Sequence, residues 1–261
     1  MPQKKELAGK VAIVTGGASG IGRAIVHAMA SEGAKITIAD IDIKSARKVV
    51  DELKKLGGNS IAVKTDVSNS QNVHHMVDET LSQFGRVSIL VNVAGVRSAP
   101  SVREVSEEEW DRVIAINLKG TFLCCKAVVE YMIAKKYGRI VNFSSGQWFR
   151  PVGAAAYAAS KGGIISLSKS LATEVAGYGV NVNVVVPGFT DTPMTRSVFP
   201  SDESFQTIVD NPALLGSGIA PLTGRIAKPE DIANFVMLLF RPAFDHVTGQ
   251  TLHVNGGSLM W

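Results

Sequence analysis

The residue pair best suited to proton transfer in this chain is Tyr157 and Lys161. A four-residue interval places two side chains on the same face of a helix. A phenol with a pKa of about 10 is a poor base at neutral pH. An ammonium group near 4 Å, at an effective dielectric of about 20, would lower that pKa by up to about three units, with burial acting in the opposite direction. The pair therefore indicates a tyrosine that can serve as a general base.

Seven short apolar runs, rich in β-branched residues, alternate with segments of helical length. The runs are Val11–Thr15, Ile36–Asp40, Ile61–Asp66, Ile89–Asn92, Arg139–Phe143, Val182–Val186 and Thr251–Val254. Continuously apolar strands are typical of a parallel sheet buried on both faces, and the intervening helices predict right-handed crossovers. The sequence therefore predicts an α/β fold over residues 1–261, a single doubly wound Rossmann-type domain with a seven-stranded parallel sheet flanked by helices.

A glycine-rich turn follows the first predicted strand and opens a helix. Its candidate contacts are Gly16, Ser19, Gly20, Ile21 and Gly22. Glycines let the backbone approach a pyrophosphate closely, and the helix N-terminus favours the negative charge of that group. Such a turn is a weak signal by itself, but its position between strand and helix predicts a dinucleotide site.

Acidic and amide side chains lie at the ends of the next three predicted strands. Asp40, 18 residues after Gly22, is placed to accept hydrogen bonds from ribose hydroxyls. Its carboxylate would repel a 2′-phosphate, and neither Ser19 nor Ile41 supplies a neutralising cation, so we expect NAD in preference to NADP. Taken alone, Asp40 is more commonly explained as a helix N-cap or a loop residue.

Asp66, Val67 and Asn92 follow or end the third and fourth predicted strands. Ligands bind at the carboxyl ends of strands in open α/β sheets, so we expect these residues to line the same crevice. Each of them taken singly is also compatible with ordinary turn chemistry.

Composition excludes several classes of protein. Hydrophobic residues make up 46% of the chain and charged residues 19%, which is typical of a globular protein. No apolar stretch of about 18 residues and no secretory leader is present, so we expect no membrane partner. The net charge of +4 comes from dispersed basic residues, and we expect no nucleic acid partner.

Cysteines and histidines show no pattern of a disulfide or a metal site. Cys124 and Cys125 are neighbours in a helical pattern and poorly placed to pair, which indicates thiols in a reducing, cytoplasmic compartment. The five histidines, His27, His74, His75, His246 and His253, show no metal-ligand spacing, so we expect no metal.

The order of motifs resembles the short-chain dehydrogenase/reductase family over essentially the whole chain. The matching motifs are TGGASGIG, Asp66-Val67, NVAG, INLKG with Asn117, the serines before YAASK, Pro187-Gly188 and VNGG near the end. The resemblance implies a nicotinamide-dependent oxidoreductase that assembles as a homotetramer. It also implies roles for single residues: Lys161 would bond the nicotinamide ribose, Asn117 would hold a water of the proton relay, and Thr192 would contact the nicotinamide end of the cofactor.

Three positions depart from the family pattern. Val93 and Asn255 replace the usual asparagine and aspartate of two motifs, and we expect effects on packing more than on chemistry. The third concerns the serine that positions the substrate oxygen. Ser144 lies at the common family interval, 13 residues before Tyr157, whereas Ser145 occupies the usual second-serine position after the strand. We favour Ser145, because strand ends fix side chains and loops absorb deletions, with Ser144 as the alternative.

Large apolar residues flank the predicted catalytic centre. They are Trp148 and Phe149 in the loop before Tyr157, and Phe189, Met194, Phe199 and Phe205 in the irregular segment 187–224, which we expect to cover the substrate. These side chains indicate a hydrophobic or aromatic secondary alcohol or ketone. The alternative is that Trp148 and Phe149 only pack the loop or a subunit contact. We also expect the apolar tail 258–261 to dock on a neighbouring subunit.

The activity expected from these residues is hydride transfer between NAD(H) and a secondary alcohol, with Tyr157 as the base and Ser145 donating to the substrate oxygen. One alternative is an isomerase or dehydratase that retains its nicotinamide; such relatives are typically longer and space their glycines differently. Another is a nucleotide-binding sensor or scaffold without turnover, which we would expect to lack the tyrosine or the lysine.

Overall fold

A seven-stranded parallel sheet runs through the chain, in the strand order β3-β2-β1-β4-β5-β6-β7. The computed structural model describes residues 5–149, 153–216 and 219–260. The strands are β1 (Val11–Thr15), β2 (Lys35–Asp40), β3 (Asn59–Lys64), β4 (Ile89–Asn92), β5 (Gly138–Phe143), β6 (Val180–Pro187) and β7 (Thr251–Val254). The predicted fold class, a seven-stranded parallel sheet flanked by helices, is confirmed.

Helices connect the strands and cover both faces of the sheet. They are α1 (Gly20–Ser31), α2 (Ile43–Lys55), α3 (Ser70–Phe84), α4 (Glu107–Val113), α5 (Gly120–Ala134), α6 (Ala155–Val175), α7 (Pro193–Arg196), α8 (Asp202–Asp210) and α9 (Pro229–Leu238). A π-helical stretch, Ile114–Lys119, joins α4 to α5, and the short 3-10 turn Gly146–Trp148 follows β5.

Two apolar cores form because successive strand residues point to opposite faces of the sheet. In β1, Ala12 and Val14 belong to the core beneath α1, α2 and α9, whereas Ile13 belongs to the core beneath α3, α5 and α6. All three side chains are fully buried. Burial of a side chain of the size of Ile or Val contributes about 1.5–3 kcal/mol, so the two cores fix the sheet and thereby the edge that carries the functional residues.

Close backbone contact explains one of the glycines of the first turn. A Cβ atom on Gly22 would lie 2.1 Å from the carbonyl oxygen of Gly16. Any larger residue there would push α1 away from the end of β1. Gly22 therefore positions the helix N-terminus through packing.

Residues 187–224 carry two helices and an aromatic cluster. The Phe205 side chain of α8 is fully buried and packs against Phe189 and Phe199, with ring centroids 6.5 Å and 5.3 Å away. The start of the segment pairs with the residues before α9, where the Asp191 amide donates to the carbonyl of Ala227 at 2.8 Å and the Ala227 amide donates to the carbonyl of Phe189 at 3.0 Å.

The predicted end of the third strand differs from the structure. Strand β3 ends at Lys64, so Asp66 and Val67 lie in the connection to α3 and not at the end of the strand. Residues 150–152 of the loop before Tyr157, residues 217–218, and Trp261 lie outside the described residues.

Candidate active site

A cavity of about 540 Å³ opens at the carboxyl ends of the strands. The predicted site residues that line it are Gly16, Ser19, Gly20, Ile21, Asp40, Asp66, Val67, Ser145, Tyr157, Lys161 and Thr192. Three predicted residues, Gly22, Asn92 and Asn117, are not among those that line it. The cavity is thus continuous from the glycine-rich turn to the tyrosine–lysine pair, and its volume falls within the range of small-molecule sites.

The glycine-rich turn presents an uncapped helix N-terminus to the cavity. Ser19 is the extended N-cap of α1, and its hydroxyl makes no capping hydrogen bond. The first turn of the helix carries no acidic residue that would neutralise its partial positive charge. Uncommitted donors at a positive helix end fit a pyrophosphate, so this part of the cavity suits a dinucleotide.

Asp40 is held rigidly between the turn and the following loop. Its Oδ2 accepts from the amide of Ala18 at 3.0 Å, and its Oδ1 accepts from the amide of Asp42 at 3.0 Å. The N-cap of α2 is Asp42, whose side chain accepts from the amides of Lys44 and Ser45. The alternative interpretation of Asp40 as a helix cap is therefore wrong, and its carboxylate faces the cavity instead.

Asp66 and Val67 form the next wall of the cavity. The Asp66 carboxylate accepts from the amide of Ser68 at 2.9 Å and from its hydroxyl at 2.6 Å. The Val67 side chain is buried so close to Gly120 that a Cβ atom there would lie 2.7 Å from Val67 Cγ2. Hydrogen bonding and packing together fix the shape of this wall.

Tyr157 and Lys161 lie one turn apart near the start of α6, as their spacing predicts. The Lys161 ammonium donates to the carbonyl of Phe143 at 2.9 Å and lies 5.6 Å from the centroid of the Tyr157 ring. Burial lowers the pKa of Lys161 to about 8.

Burial also raises the pKa of Tyr157, while a hydrogen bond with the Ser145 side chain and the charge of Arg97 lower it. Desolvation, which disfavours the phenolate, outweighs these two effects, so the pKa of Tyr157 is raised and not lowered as the sequence predicts.

The two candidate serines have different partners. The Ser144 hydroxyl is buried and donates to the carbonyl oxygen of Lys161 at 2.8 Å. The Ser145 hydroxyl lies beside the Tyr157 hydroxyl and accepts from the Gln147 amide at 3.4 Å. This arrangement favours Ser145 as the residue next to the reacting oxygen and gives Ser144 a role in fixing α6 to β5.

Asn117 lies in the π-helical stretch and is fully buried. Its Oδ1 accepts from the amide of Val96 at 2.8 Å, and its Nδ2 donates to the carbonyl of Val96 at 3.0 Å and to Ser160 Oγ at 3.1 Å. The side chain therefore fixes the backbone that follows β4. A π-helical stretch frequently accompanies a functional site, and here it is the element that delivers this amide.

Asn92 lies outside the cavity, contrary to the expectation of a cofactor contact. Its Nδ2 donates to Asn142 Oδ1 at 2.9 Å and contacts Cys125 Sγ at 3.4 Å. Asn142 in turn donates to Ser168 Oγ at 2.9 Å. Because the side chain belongs to the face of β4 that packs on α5, it joins a buried polar network and not the ligand crevice.

Some of the apolar residues singled out in the sequence line the cavity and others do not. Phe189 and Met194 line it, whereas Phe199 and Phe205 pack on each other. Trp148 packs against the small apolar cluster formed by β6 and α6, which agrees with the alternative that it only packs its loop. The side chain of Phe149 is half exposed.

The structure adds lining residues that sequence reasoning missed: Arg97, Gln147, Val198, Leu215, Ile219 and Leu259. Leu259 packs on Gly146 of the same chain and lines the cavity, and docking of the tail on a neighbouring subunit stays a prediction. These residues lie in connections, where no periodicity marks a buried face. Only the position of Arg97, two residues after the NVAG motif that begins at the end of β4, could have indicated it.

The two thiols lie away from the cavity and add no chemistry to it. Cys124 and Cys125 are free and buried, and burial raises the pKa of Cys125 to about 12. Within residues 5–149, 153–216 and 219–260, no three His, Cys, Asp or Glu side chains come together as a metal site. Over the same residues, no helix has the length and apolar character needed to cross a membrane.

Comparison with known proteins agrees with this geometry. The family described as short chain dehydrogenase matches residues 10–203. The chain belongs to this family. It is 39% identical over 248 residues to (2S)-[(R)-hydroxy(phenyl)methyl]succinyl-CoA dehydrogenase subunit BbsD of Thauera aromatica, covering 95% of this chain and 96% of the relative.

Two further similarities span nearly the full chain. The chain is 37% identical over 253 residues to 3-oxoacyl-[acyl-carrier-protein] reductase FabG of Thermotoga maritima, covering 96% of this chain and 98% of that one. The crystal structure of gox2181 superposes with a TM-score of 0.89 at 35% identity and covers both chains completely. Members of the family are oxidoreductases that bind a nicotinamide cofactor, and the chain shares that general activity.

The different partners of the two serines lead to a paired prediction. Ser145→Ala lowers kcat/KM for a secondary alcohol by about 100-fold or more, because it removes a donor at the reacting oxygen. Ser144→Ala keeps kcat/KM within a few fold but lowers the free energy of unfolding by about 1 kcal/mol, because it removes a buried hydrogen bond. NADH formation and urea unfolding measure the two effects. The reverse pattern would assign the substrate contact to Ser144.

Proposed function

We propose that this chain catalyses reversible hydride transfer between NAD(H) and a secondary alcohol or ketone with a hydrophobic, aromatic or alkyl body. The observation that carries this proposal is the pairing of the Ser145 and Tyr157 hydroxyls in a cavity that continues to the carboxylate of Asp40. A hydroxyl pair of this kind can hold a carbinol oxygen and take its proton. The overall reaction converts the alcohol and NAD+ into the ketone, NADH and a proton.

The residues around the cavity divide the cofactor between them. Gly16, Ser19, Gly20 and Ile21 would hold the pyrophosphate at the uncapped N-terminus of α1. Asp40 would bind the adenosine ribose, Asp66 and Val67 would border the adenine, and Thr192, Tyr157 and Lys161 would hold the nicotinamide end. A bound nicotinamide would supply the hydride acceptor in the oxidation direction.

Proton transfer is the work of the protein side chains. Ser145 Oγ hydrogen-bonds to the substrate oxygen, and the Tyr157 phenolate takes the hydroxyl proton. Because burial raises the pKa of Tyr157, positive charge is needed to make the phenolate accessible. Lys161 and Arg97 both line the cavity and supply such charge, with Lys161 held in place by the Phe143 carbonyl. Asn117 fixes the Val96 backbone beside them.

The cofactor preference for NAD rests on Asp40. Its two oxygens are already oriented by the amides of Ala18 and Asp42, so the carboxylate cannot turn away from a 2′-phosphate. The neighbouring Ser19 and Ile41 are uncharged and line the same end of the cavity. The repulsion between carboxylate and phosphate therefore has no local compensation.

The substrate end of the cavity is walled by apolar side chains from residues 187–224 and from the tail. They are Phe189, Met194, Val198, Leu215, Ile219 and Leu259. Residues 187–224 act as a substrate-covering part of the same domain. The names of two relatives agree with a secondary alcohol or ketone, since one describes a hydroxy(phenyl)methyl group and the other a 3-oxoacyl group.

Replacement of the proposed base tests the activity. Tyr157→Phe lowers turnover of an aryl secondary alcohol, such as 1-phenylethanol, by about 10²–10⁴-fold, because proton transfer is lost. NADH binding, followed by its fluorescence, stays close to wild type. Tyr178→Phe, at an exposed position away from the cavity, is the matched control. Near wild-type turnover by Tyr157→Phe contradicts the proposal. If the wild type turns over no member of a broad panel of alcohols and ketones, the chain is instead a nucleotide-binding protein without catalysis.

Replacement of Asp40 tests the cofactor preference. Asp40→Ser lowers the ratio of kcat/KM with NAD to kcat/KM with NADP by at least about tenfold, because charged hydrogen bonds to the ribose are lost and repulsion of the phosphate ends. Steady-state kinetics with both cofactors measure the ratio. Asp51→Ser, an exposed acid on α2, keeps the wild-type ratio. A wild-type enzyme that prefers NADP would show that Asp40 does not select the cofactor.

A homotetramer is the assembly that fits the exposed surface of α4 and α5. Trp110, Phe122 and Tyr131 lie on these helices with 38%, 42% and 43% of their surface exposed. Aromatic residues of this kind are enriched in subunit interfaces. Light scattering is expected to give four times the chain mass of 27.7 kDa. A mass equal to that of one chain would rule the tetramer out.

A further inference from the structure

Charge is distributed unevenly along the cavity. Its charged lining residues are Asp40 and Asp66 at the adenosine end, and Arg97 and Lys161 at the tyrosine end. The Lys161 ammonium is buried and bonded to the Phe143 carbonyl. Arg97 is therefore the lining residue whose positive charge is available to bind a ligand at the substrate end.

The Arg97 guanidinium has no acidic partner in the described part of the chain. The ion pairs there involve the arginines at positions 23, 112, 139, 196, 225 and 241, and each of these lies away from the cavity. Arg97 is the arginine that lines it. An arginine in a ligand cavity, facing neither Asp nor Glu, is placed for an external anion, and its planar fork matches a carboxylate.

The backbone around Arg97 is fixed on both sides. The preceding residue, Val96, exchanges two hydrogen bonds with the buried amide of Asn117, at 2.8 Å and 3.0 Å. Two residues after Arg97, the Ala99 carbonyl accepts from the amide of Ala154 at 2.8 Å. The Pro100 carbonyl accepts from the amide of Ala155, at the start of α6, at 3.1 Å. The Arg97 backbone is thus fixed relative to the helix turn that carries Tyr157.

A second polar group faces the same space. Gln147 lines the cavity, and its buried Oε1 has no hydrogen-bond partner within the described residues. Leaving a buried amide oxygen without a hydrogen-bond donor costs free energy, unless a bound ligand supplies the donor. The substrate end thus combines apolar walls with one guanidinium and one amide, which fits an amphipathic molecule better than a plain hydrocarbon alcohol.

We propose that Arg97 binds a carboxylate carried by the substrate near its carbinol carbon, so that the substrates are apolar hydroxy acids and the corresponding oxo acids. This inference rests on the proposed function, because it places the carboxylate relative to the hydroxyl held by Ser145 and Tyr157. Arg97 and Tyr157 line one cavity, so one substrate molecule can present its carbinol to Tyr157 and its carboxylate to Arg97.

The test compares an acid with its neutral ester. 3-Hydroxy-3-phenylpropanoate and its methyl ester carry the same carbinol and ring, so the ratio of their kcat/KM values isolates the contribution of the carboxylate. Wild type is expected to prefer the acid by at least about tenfold. Arg97→Met lowers that preference by about 10- to 100-fold, mainly through KM of the acid, because a charged hydrogen bond is lost. Arg97→Lys recovers part of the preference, since it keeps the charge without the fork.

Controls separate charge recognition from general damage. Arg103→Met removes an exposed arginine that does not line the cavity and keeps the wild-type preference. Binding of the unreactive 3-phenylpropanoate and of 3-phenylpropanamide, measured by calorimetry with NAD+ present, gives a readout without turnover. Only the acid is expected to bind more weakly to Arg97→Met.

The outcomes distinguish the two proposals. Equal or better use of the ester by wild type, or an unchanged preference in Arg97→Met, overturns the assignment of Arg97 while hydride transfer stands. Absence of turnover with the acid, the ester and 1-phenylethanol alike overturns both.

Discussion

The Lys161 ammonium and the Phe143 carbonyl join helix α6 to the end of strand β5 inside the protein. The Ser144 hydroxyl returns a second bond from β5 to the carbonyl of Lys161. These reciprocal bonds hold the first turns of α6 against the end of β5. Removing an ammonium group from water is costly, as the lowered pKa of Lys161 shows. The cost is tolerable because the carbonyl partner is held rigidly by the sheet.

Buried amides extend this arrangement across the neighbouring strands. Asn92, Asn142 and Ser168 connect β4, β5 and α6, and Asn117 fixes the backbone after β4. Polar groups in a low-dielectric interior favour one geometry strongly, since any shift leaves a donor or acceptor unsatisfied. The reacting hydroxyls are thus positioned by a network that lies behind them and does not itself contact the cavity.

The sequence predicted the features that depend on a repeating pattern of apolar residues or on a fixed spacing between two residues. Apolar runs predict strands because both faces of a parallel sheet are buried, and the interval between Tyr157 and Lys161 predicts a shared helix face. The sequence did not predict contacts that depend on the direction in which a single side chain points. Asn92 ends a predicted strand as expected, but the pleat turns its amide toward Asn142. Trp148 follows Ser145 by only three residues, yet it packs against β6 and α6. Arg97 and Gln147 lie in connections, where residue type alone gives no orientation.

The lining residues of the crevice come from two kinds of structure. The end that we assign to the cofactor is built from the ends of strands, the start of α1 and the connection after β3. The end that we assign to the substrate is built from connections, among them Val96 and Arg97 and the tail around Leu259, which packs on Gly146. Substitutions in those connections alter the shape and charge of the pocket while the cores beneath keep their packing. Substrate range can therefore diverge in evolution independently of stability and of the redox reaction, a separation that lets one scaffold acquire many specificities.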